Sequence, residues 1–255
     1  GLVLIIALIV WNGESAPPDG DAANREQADH HRAEGSSEGP SDISREEPRE
    51  APPEPEPVPP GSPGSGLAAE GLLVAVGDIM MHMPQLPAYF DPESKRYDFT
   101  PYFAEVKPLD EYADWAMANL ETTLSENGDY SGYPRFSSPR ELAAALKEAG
   151  FDIVTTANNH ALDRGVPGVK RTLGFLEEQG LVTRGTARSA EEAAGTVIVE
   201  QNHIRVGLLA YTYGTNGIPI PADMPWLVDL IDEERMVQDI AALREAGADF
   251  IVIAL

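Results

Sequence analysis

Short apolar runs bounded by Gly, Asp and Asn alternate with longer stretches of helical spacing from about position 67 to the end of the chain. Strands are predicted over 72–76, 151–156 and 249–255, and 196–200 with 204–211 form an expected hairpin turning at Asn202-His203. The run 115–120 fits a strand, although its Ala and Met leave it open to helix. Ser138-Pro139-Arg140-Glu141 has the capping-box pattern with Pro at the first helical position, which predicts a helix ending at Gly150. A second helix is expected over 166–179 with Gly180 as its stop, and a third capped by Asp232 and closing near Ala246-Gly247. Strands and helices in this alternation predict an α/β domain with a largely buried sheet.

The first 66 residues follow a different pattern. Positions 1–11 are apolar and uncharged, shorter than the roughly 20 residues of a spanning helix. They fit the end of a signal anchor, a cleaved signal core or a buried helix, and the lack of a small-x-small site before Trp11-Asn12-Gly13 favours the anchor. Positions 12–66 hold half of the chain's prolines, no aromatic residue and the repeat Pro53-Glu54-Pro55-Glu56-Pro57. Such a segment buries too little apolar surface to offset its ordering entropy, so a disordered tether is expected. The chain starts at Gly1 and stops in an apolar run at Leu255, so both ends are expected to be cut from something longer.

Charge narrows the function classes. The formal net charge is −24, with 42 acidic against 18 basic residues. That balance argues against a nucleic-acid partner and favours bound cations. There is no cysteine, which excludes disulfides and thiolate metal sites.

Three polar clusters each follow an apolar run, and in open α/β sheets ligands gather at the carboxyl ends of strands. Gly77-Asp78-Ile79-Met80-Met81-His82 offers a carboxylate and, four residues on, an imidazole; a plain Gly-Asp turn is the alternative. In Asn119-Leu120-Glu121-Thr122, alternation puts Asn119 and Glu121 on one face, unless the cluster is a solvated helix cap. Ala157-Asn158-Asn159-His160-Ala161-Leu162-Asp163-Arg164-Gly165 joins an oxygen ligand to an imidazole able to move a proton near neutral pH. Asp163 either orients that imidazole or caps the next helix, and capping is the preferred reading. Tyr211-Thr212-Tyr213-Gly214-Thr215-Asn216-Gly217 fits a cleft wall or a tight connection, and His203 a solvent-exposed turn.

Taken in order, these four motifs resemble the CapA group of capsule synthesis proteins over 72–255. The resemblance implies a calcineurin-like metallophosphoesterase sandwich, with helices flanking two β-sheets, acting on the outer membrane face in poly-γ-glutamate capsule synthesis. It implies Asp78, Glu121 and Asn159 as ligands of divalent metal ions and His160 as the proton donor, making half of a two-metal site. Further candidates are His82, Asn119, Asn158, Asp163, Tyr211 and Asn216. Two features depart from the wider metallophosphoesterase pattern. Met80 stands where a histidine is usual, leaving His82 as a displaced substitute, and the histidine motifs expected past 250–254 fall outside the 255 residues. The expected partners are a membrane, an anionic polymer such as poly-γ-glutamate, and capsule synthesis proteins. The expected activity is cation-mediated polymer binding, with metal-dependent hydrolysis of a phosphoester or γ-glutamyl amide, or pure scaffolding, as alternatives.

Overall fold

The computed structural model describes the backbone of Leu4–Trp11 and residues 69–255 in full. The expected tether over 12–66 lies outside the described residues. In chain order the elements are β1 (Leu4–Trp11), β2 (Ala69–Ile79), the small hairpin β3 (Phe90–Asp91) and β4 (Arg96–Tyr97), and the short α1 (Lys107–Asp110). Next come β5 (Trp115–Leu120), β6 (Thr123–Ser125), β7 (Ser137–Pro139), α2 (Glu141–Glu148), β8 (Ile153–Thr155), α3 (Gly165–Glu178) and β9 (Val182–Arg184). The last are α4 (Ala190–Ala194), β10 (Ile198–Gln201), β11 (Ile204–Ala210), α5 (Glu233–Glu245) and β12 (Phe250–Ala254).

Two sheets carry the domain, ordered β1-β2-β5-β8-β9 and β10-β11-β12. Strands β2, β5, β8 and β9 run parallel, so their carboxyl ends lie along one edge. Alternate side chains of these strands serve two different cores, as the period of 2 requires. Leu73, Ala75, Trp115, Met117 and Ile153 meet Ile204, Val206 and Leu208 of β11 between the sheets. Val76, Ala116, Ala118, Leu120 and Val154 face the other way, onto Leu142 and Leu146 of α2 and Phe175 and Leu176 of α3. Beyond the second sheet, Leu209 and Tyr211 pack on Leu243 of α5. The result is an α/β sandwich with helices outside both sheets. A strand buried on both faces reads as a nearly continuous apolar run, which is why 72–76 was visible in the sequence.

Local chemistry explains most boundaries. The β10–β11 turn has both Asn202 and His203 at positive φ, 53° and 63°, the backbone of a two-residue hairpin turn whose twist suits its strands. Asp232 caps α5 by accepting from Arg235 N at 2.9 Å, and Gly150, Gly180 and Gly247 follow α2, α3 and α5 at positive φ. The open assignment of 115–120 resolves as strand β5, because both of its faces are claimed by sheet cores.

Two expectations are corrected. Leu4–Trp11, expected as a helix, is strand β1 antiparallel to β2, in register from Leu4 with Val76 to Trp11 with Ala69. Its Ile and Val residues favour extended backbone, and the edge of β2 supplies the hydrogen-bonding partner. Among the described residues no helix is long and apolar enough to cross a membrane. The capping box also fails: Arg140 occupies the cap of α2 without a side-chain capping bond, and Ser138 and Pro139 belong to β7. The Ser138 hydroxyl instead pairs with that of Thr122 at 2.9 Å, a buried partner the local sequence does not announce.

Candidate functional site

The parallel strands end at one edge, and four of the polar motifs meet there. At the end of β2 the register against β5 shifts between Val76 and Asp78, so that Asp78 pairs with Asn119. Such a bulge re-aims a side chain, and here the Asn119 amide donates to Asp78 Oδ1 at 2.7 Å. Glu121, just past β5, is held by its own N–H on Ile79 O at 2.9 Å. Its side chain lies in the same cleft wall as the Asp78 carboxyl group, close enough for the two to interact. Burial, and after it the neighbouring Asp78 charge, pushes Glu121 up to about 7, while His160 pulls the other way. Burial and the neighbouring charge both favour a proton on Glu121.

The turn after β8 brings the second half. Asn158 is a brace: its amide donates to Leu120 O at 2.8 Å and to Asn119 Oδ1 at 3.2 Å, and its oxygen accepts from His160 N. Asn159 turns outward and donates to Asn216 Oδ1 at 3.3 Å. His160 is buried, with Nδ1 at 2.7 Å from Asp163 Oδ2 and Nε2 at 3.9 Å from Glu121 Oε1. With the Nδ1 proton toward Asp163, Nε2 faces the Asn216 amide at 3.4 Å and Glu121 Oε1 at 3.9 Å. The Phe136 ring meets the imidazole edge-on at 4.7 Å between centroids and fixes its plane.

Asp163 therefore does not cap α3, whose cap residue Arg164 makes no capping bond with its side chain. It binds His160 and accepts from Phe136 N at 2.6 Å, while its Oδ1 is buried without a partner. His82 does not line the cleft that holds Asp78 and Glu121. It packs edge-on against Phe136 at 4.9 Å, and its backbone N–H is taken by Gln85. Tyr211 is buried and its hydroxyl donates to Asp239 of α5 at 2.8 Å, which makes it a tie between strand end and helix. His203 is exposed in the hairpin, as expected.

Two clefts open on this centre. One, about 540 Å³, has Asp78, Asn119, Glu121, Asn158 and Asn159 in its wall, with the exposed Tyr213 also lining it. The other, about 400 Å³, is lined by His160, Asp163, Asn159 and Asn216 together with Tyr133, Pro134 and Arg135. Asn159 stands in both walls. Nothing local in the sequence separates the Tyr133–Arg135 loop from an ordinary polar turn; the bond from the N–H of the next residue, Phe136, to Asp163 brings it to the histidine.

In kind, these donors fit a hard divalent cation: two carboxyl groups in one cleft wall, amide oxygens nearby and no thiol. In number they are few. Among the described residues no three His, Cys, Asp or Glu side chains surround a common point. A cation here would complete its shell with Asn159, water or substrate.

The chain is 26% identical over 183 residues to the PGA biosynthesis protein CapA of Bacillus subtilis, covering 66% of this chain and 47% of that protein. It is 29% identical over 147 residues to the capsule biosynthesis protein CapA of Bacillus anthracis, covering 55% and 34%. An uncharacterized protein of Sinorhizobium fredii, y4sH, is 29% identical over 157 residues, covering 59% and 32%. The chain thus spans a third to a half of the length of these curated relatives. Among solved structures, the NAD nucleotidase of Haemophilus influenzae aligns with a TM-score of 0.37 and 14% identity over 61% of this chain and 27% of that one. That likeness is too loose to transfer any residue's role. Residues 72–255, from the start of the buried β2 run through both clefts, match the bacterial capsule synthesis protein PGA_cap, and the chain belongs to that family.

Proposed function

We propose that the chain serves capsule synthesis as a cation-dependent polymer-handling domain on the outer face of the cell membrane, with Asp78 and Glu121 as its cation ligands. The observation that carries this is that Asp78, Glu121 and Asn159 line one cleft wall, with His160 Nε2 3.9 Å from Glu121 Oε1. A divalent ion there would neutralise the paired carboxylates and present positive charge to an anionic polymer or to a reacting oxygen. The chain's own residues do the remainder. Asn119 fixes Asp78, Asn158 fixes the turn, and Asp163 holds the His160 ring so that Nε2 faces Glu121. The outer-face location rests on the acidic, proline-rich composition of 12–66, which suits a spacer. Protease accessibility on intact cells tests it, and a protected domain would reject it.

Calorimetric titration of the purified chain with Mg²⁺, Mn²⁺ and Ca²⁺ tests the site. Asp78→Ala and Glu121→Ala are each expected to weaken binding at least about tenfold, and in cells to lower capsule yield. Equal binding and yield would reject the reading.

Hydrolysis of a phosphoester or γ-glutamyl amide is a second reading, favoured by the His160–Asp163 pair, since a histidine oriented by a buried carboxylate is equipped for proton transfer. Under it, His160→Ala abolishes turnover and leaves cation binding nearly intact. Unchanged turnover would take His160 out of the reaction.

A further inference from the structure

The loop ahead of β7 carries a cation that the centre described so far does not use. Arg135 lines the cleft of about 400 Å³ with His160, Asn159 and Asn216. Its backbone is tied down on both sides. Its carbonyl accepts from the Ser131 hydroxyl, Ser131 and Ser137 form an isolated bridge, and the next residue, Phe136, donates its N–H to Asp163 at 2.6 Å and offers its carbonyl to Thr123 Oγ1 at 3.0 Å. The Arg164 guanidinium fastens Ser131 Oγ from the other side at 2.6 Å. The side chain of Arg135 is exposed, and among the described residues no carboxylate pairs with it.

Several other arginines of this molecule are taken up by carboxylates. Arg140 is held by Glu126 and Glu178, Arg188 by Glu177 and Glu192, and Arg235 by Asp229 and Asp239. In a chain with 42 acidic and 18 basic residues, a guanidinium left without a carboxylate at the mouth of an active cleft has chemical meaning. It has three kinds of company there. Asn159 and Asn216 carry amides, Tyr133 is 79% exposed and offers a flat apolar face, and His160 lies at the same wall. Asn216 holds its amide within 3.4 Å of His160 Nε2 from a left-handed backbone, φ 50°, a conformation Asn tolerates better than most residues. A planar guanidinium beside amide donors is the usual recognition set for a two- or three-oxygen anion.

We propose that Arg135, with Tyr133 and Asn216, forms an oxyanion subsite that grips a carboxylate or phosphoryl group of the substrate next to His160. The subsite gives an otherwise acidic cleft a way to hold an anion. Arg135 binds and positions; it moves no proton. The inference deepens the proposed function and rests on that reading of the Asp78–His160 centre.

The test titrates the full chain by calorimetry with glutarate, with inorganic phosphate and with neutral glutaramide, in the parent, Arg135→Gln, Arg135→Lys and Asp78→Asn. At least one anion is expected to bind about tenfold tighter than glutaramide, to lose about tenfold in Arg135→Gln, and to lose less in Arg135→Lys. Preference for glutarate identifies a carboxylate as the natural group, and preference for phosphate a phosphoryl group. Equal binding of glutaramide, failure of both anions, or an unchanged Arg135→Gln overturns the subsite. Anion binding that persists in Asp78→Asn while cation binding is absent in the parent would reject the cation reading and leave the subsite standing. Normal cation binding with an inert Arg135→Gln rejects the subsite alone.

Discussion

His160 Nδ1 lies 2.7 Å from Asp163 Oδ2, and the same oxygen accepts from Phe136 N at 2.6 Å. One carboxylate thereby fixes the imidazole and the loop that carries Arg135, so the histidine and the proposed anion subsite share a single anchor.

Asp163→Asn is expected to disturb both at once. An amide in this place can present N–H where two donors now converge, leaving one of them unmatched. A stability loss of about 1–3 kcal/mol follows from an unpaired buried donor. Urea denaturation measures the loss, and the ¹⁵N shifts of His160 should report a changed tautomer. Unaltered shifts would mean that Asp163 does not set the ring.

Asp78→Asn is expected to lower the titration of Glu121, which now sits at about 7. Burial remains in the variant, so the value should stay above that of an exposed glutamate, but the neighbouring negative charge is gone. Side-chain carboxyl NMR across pH 4 to 9 reads this directly. A Glu121 midpoint that does not move would show that the two carboxyl groups are not coupled.

Asp110 supplies a pH dependence far from the cleft. It is 2% exposed, neither carboxylate oxygen has a partner, and burial lifts it from 3.8 to about 6. Because the folded value is the higher one, the neutral acid is favoured on folding. Its contribution to stability is whole below about pH 4 and is lost as pH rises through about 6. Asp110→Asn should flatten the stability profile between those limits and raise stability at pH 7 by about 1–2 kcal/mol. Denaturant melts at pH 4, 5, 6 and 7 test this; parallel curves for the two proteins would refute it.

Gly185→Ala is expected to damage the site from the next strand over. Gly185 has φ 116°, and a methyl group there would come within 2.5 Å of Ala157 N, at the start of the turn bearing Asn158, Asn159 and His160. Side-chain-bearing residues rarely adopt that backbone, and the turn would have to shift. A loss of about 2 kcal/mol or more, with cation binding weakened, is the expected outcome by melts and calorimetry. Retained stability and binding would mean that the turn yields without consequence.

The chain by itself determined those features whose signals are local. Runs such as 72–76 and 204–211 are apolar enough for strands buried on both faces, and Asn202-His203, Asp232 and the glycines after α2, α3 and α5 set turns and helix ends through their own backbone preferences. The order of polar clusters after strands was equally visible, and a parallel sheet lines up its carboxyl ends without further instruction. Tertiary structure decided which polar atoms meet. Whether Asp163 caps a helix or holds a histidine, whether His82 joins the carboxylates or stacks behind Phe136, and whether Ser138 begins a helix or pairs with Thr122 all depend on partners distant in sequence. It also laid Leu4–Trp11 beside β2 as a strand, since an apolar run suits helix and sheet alike until a neighbouring edge offers its hydrogen bonds. Periodicity and propensity act over a few residues, whereas a hydrogen bond is chosen among all groups that packing brings within about 3 Å, and no local pattern encodes that choice.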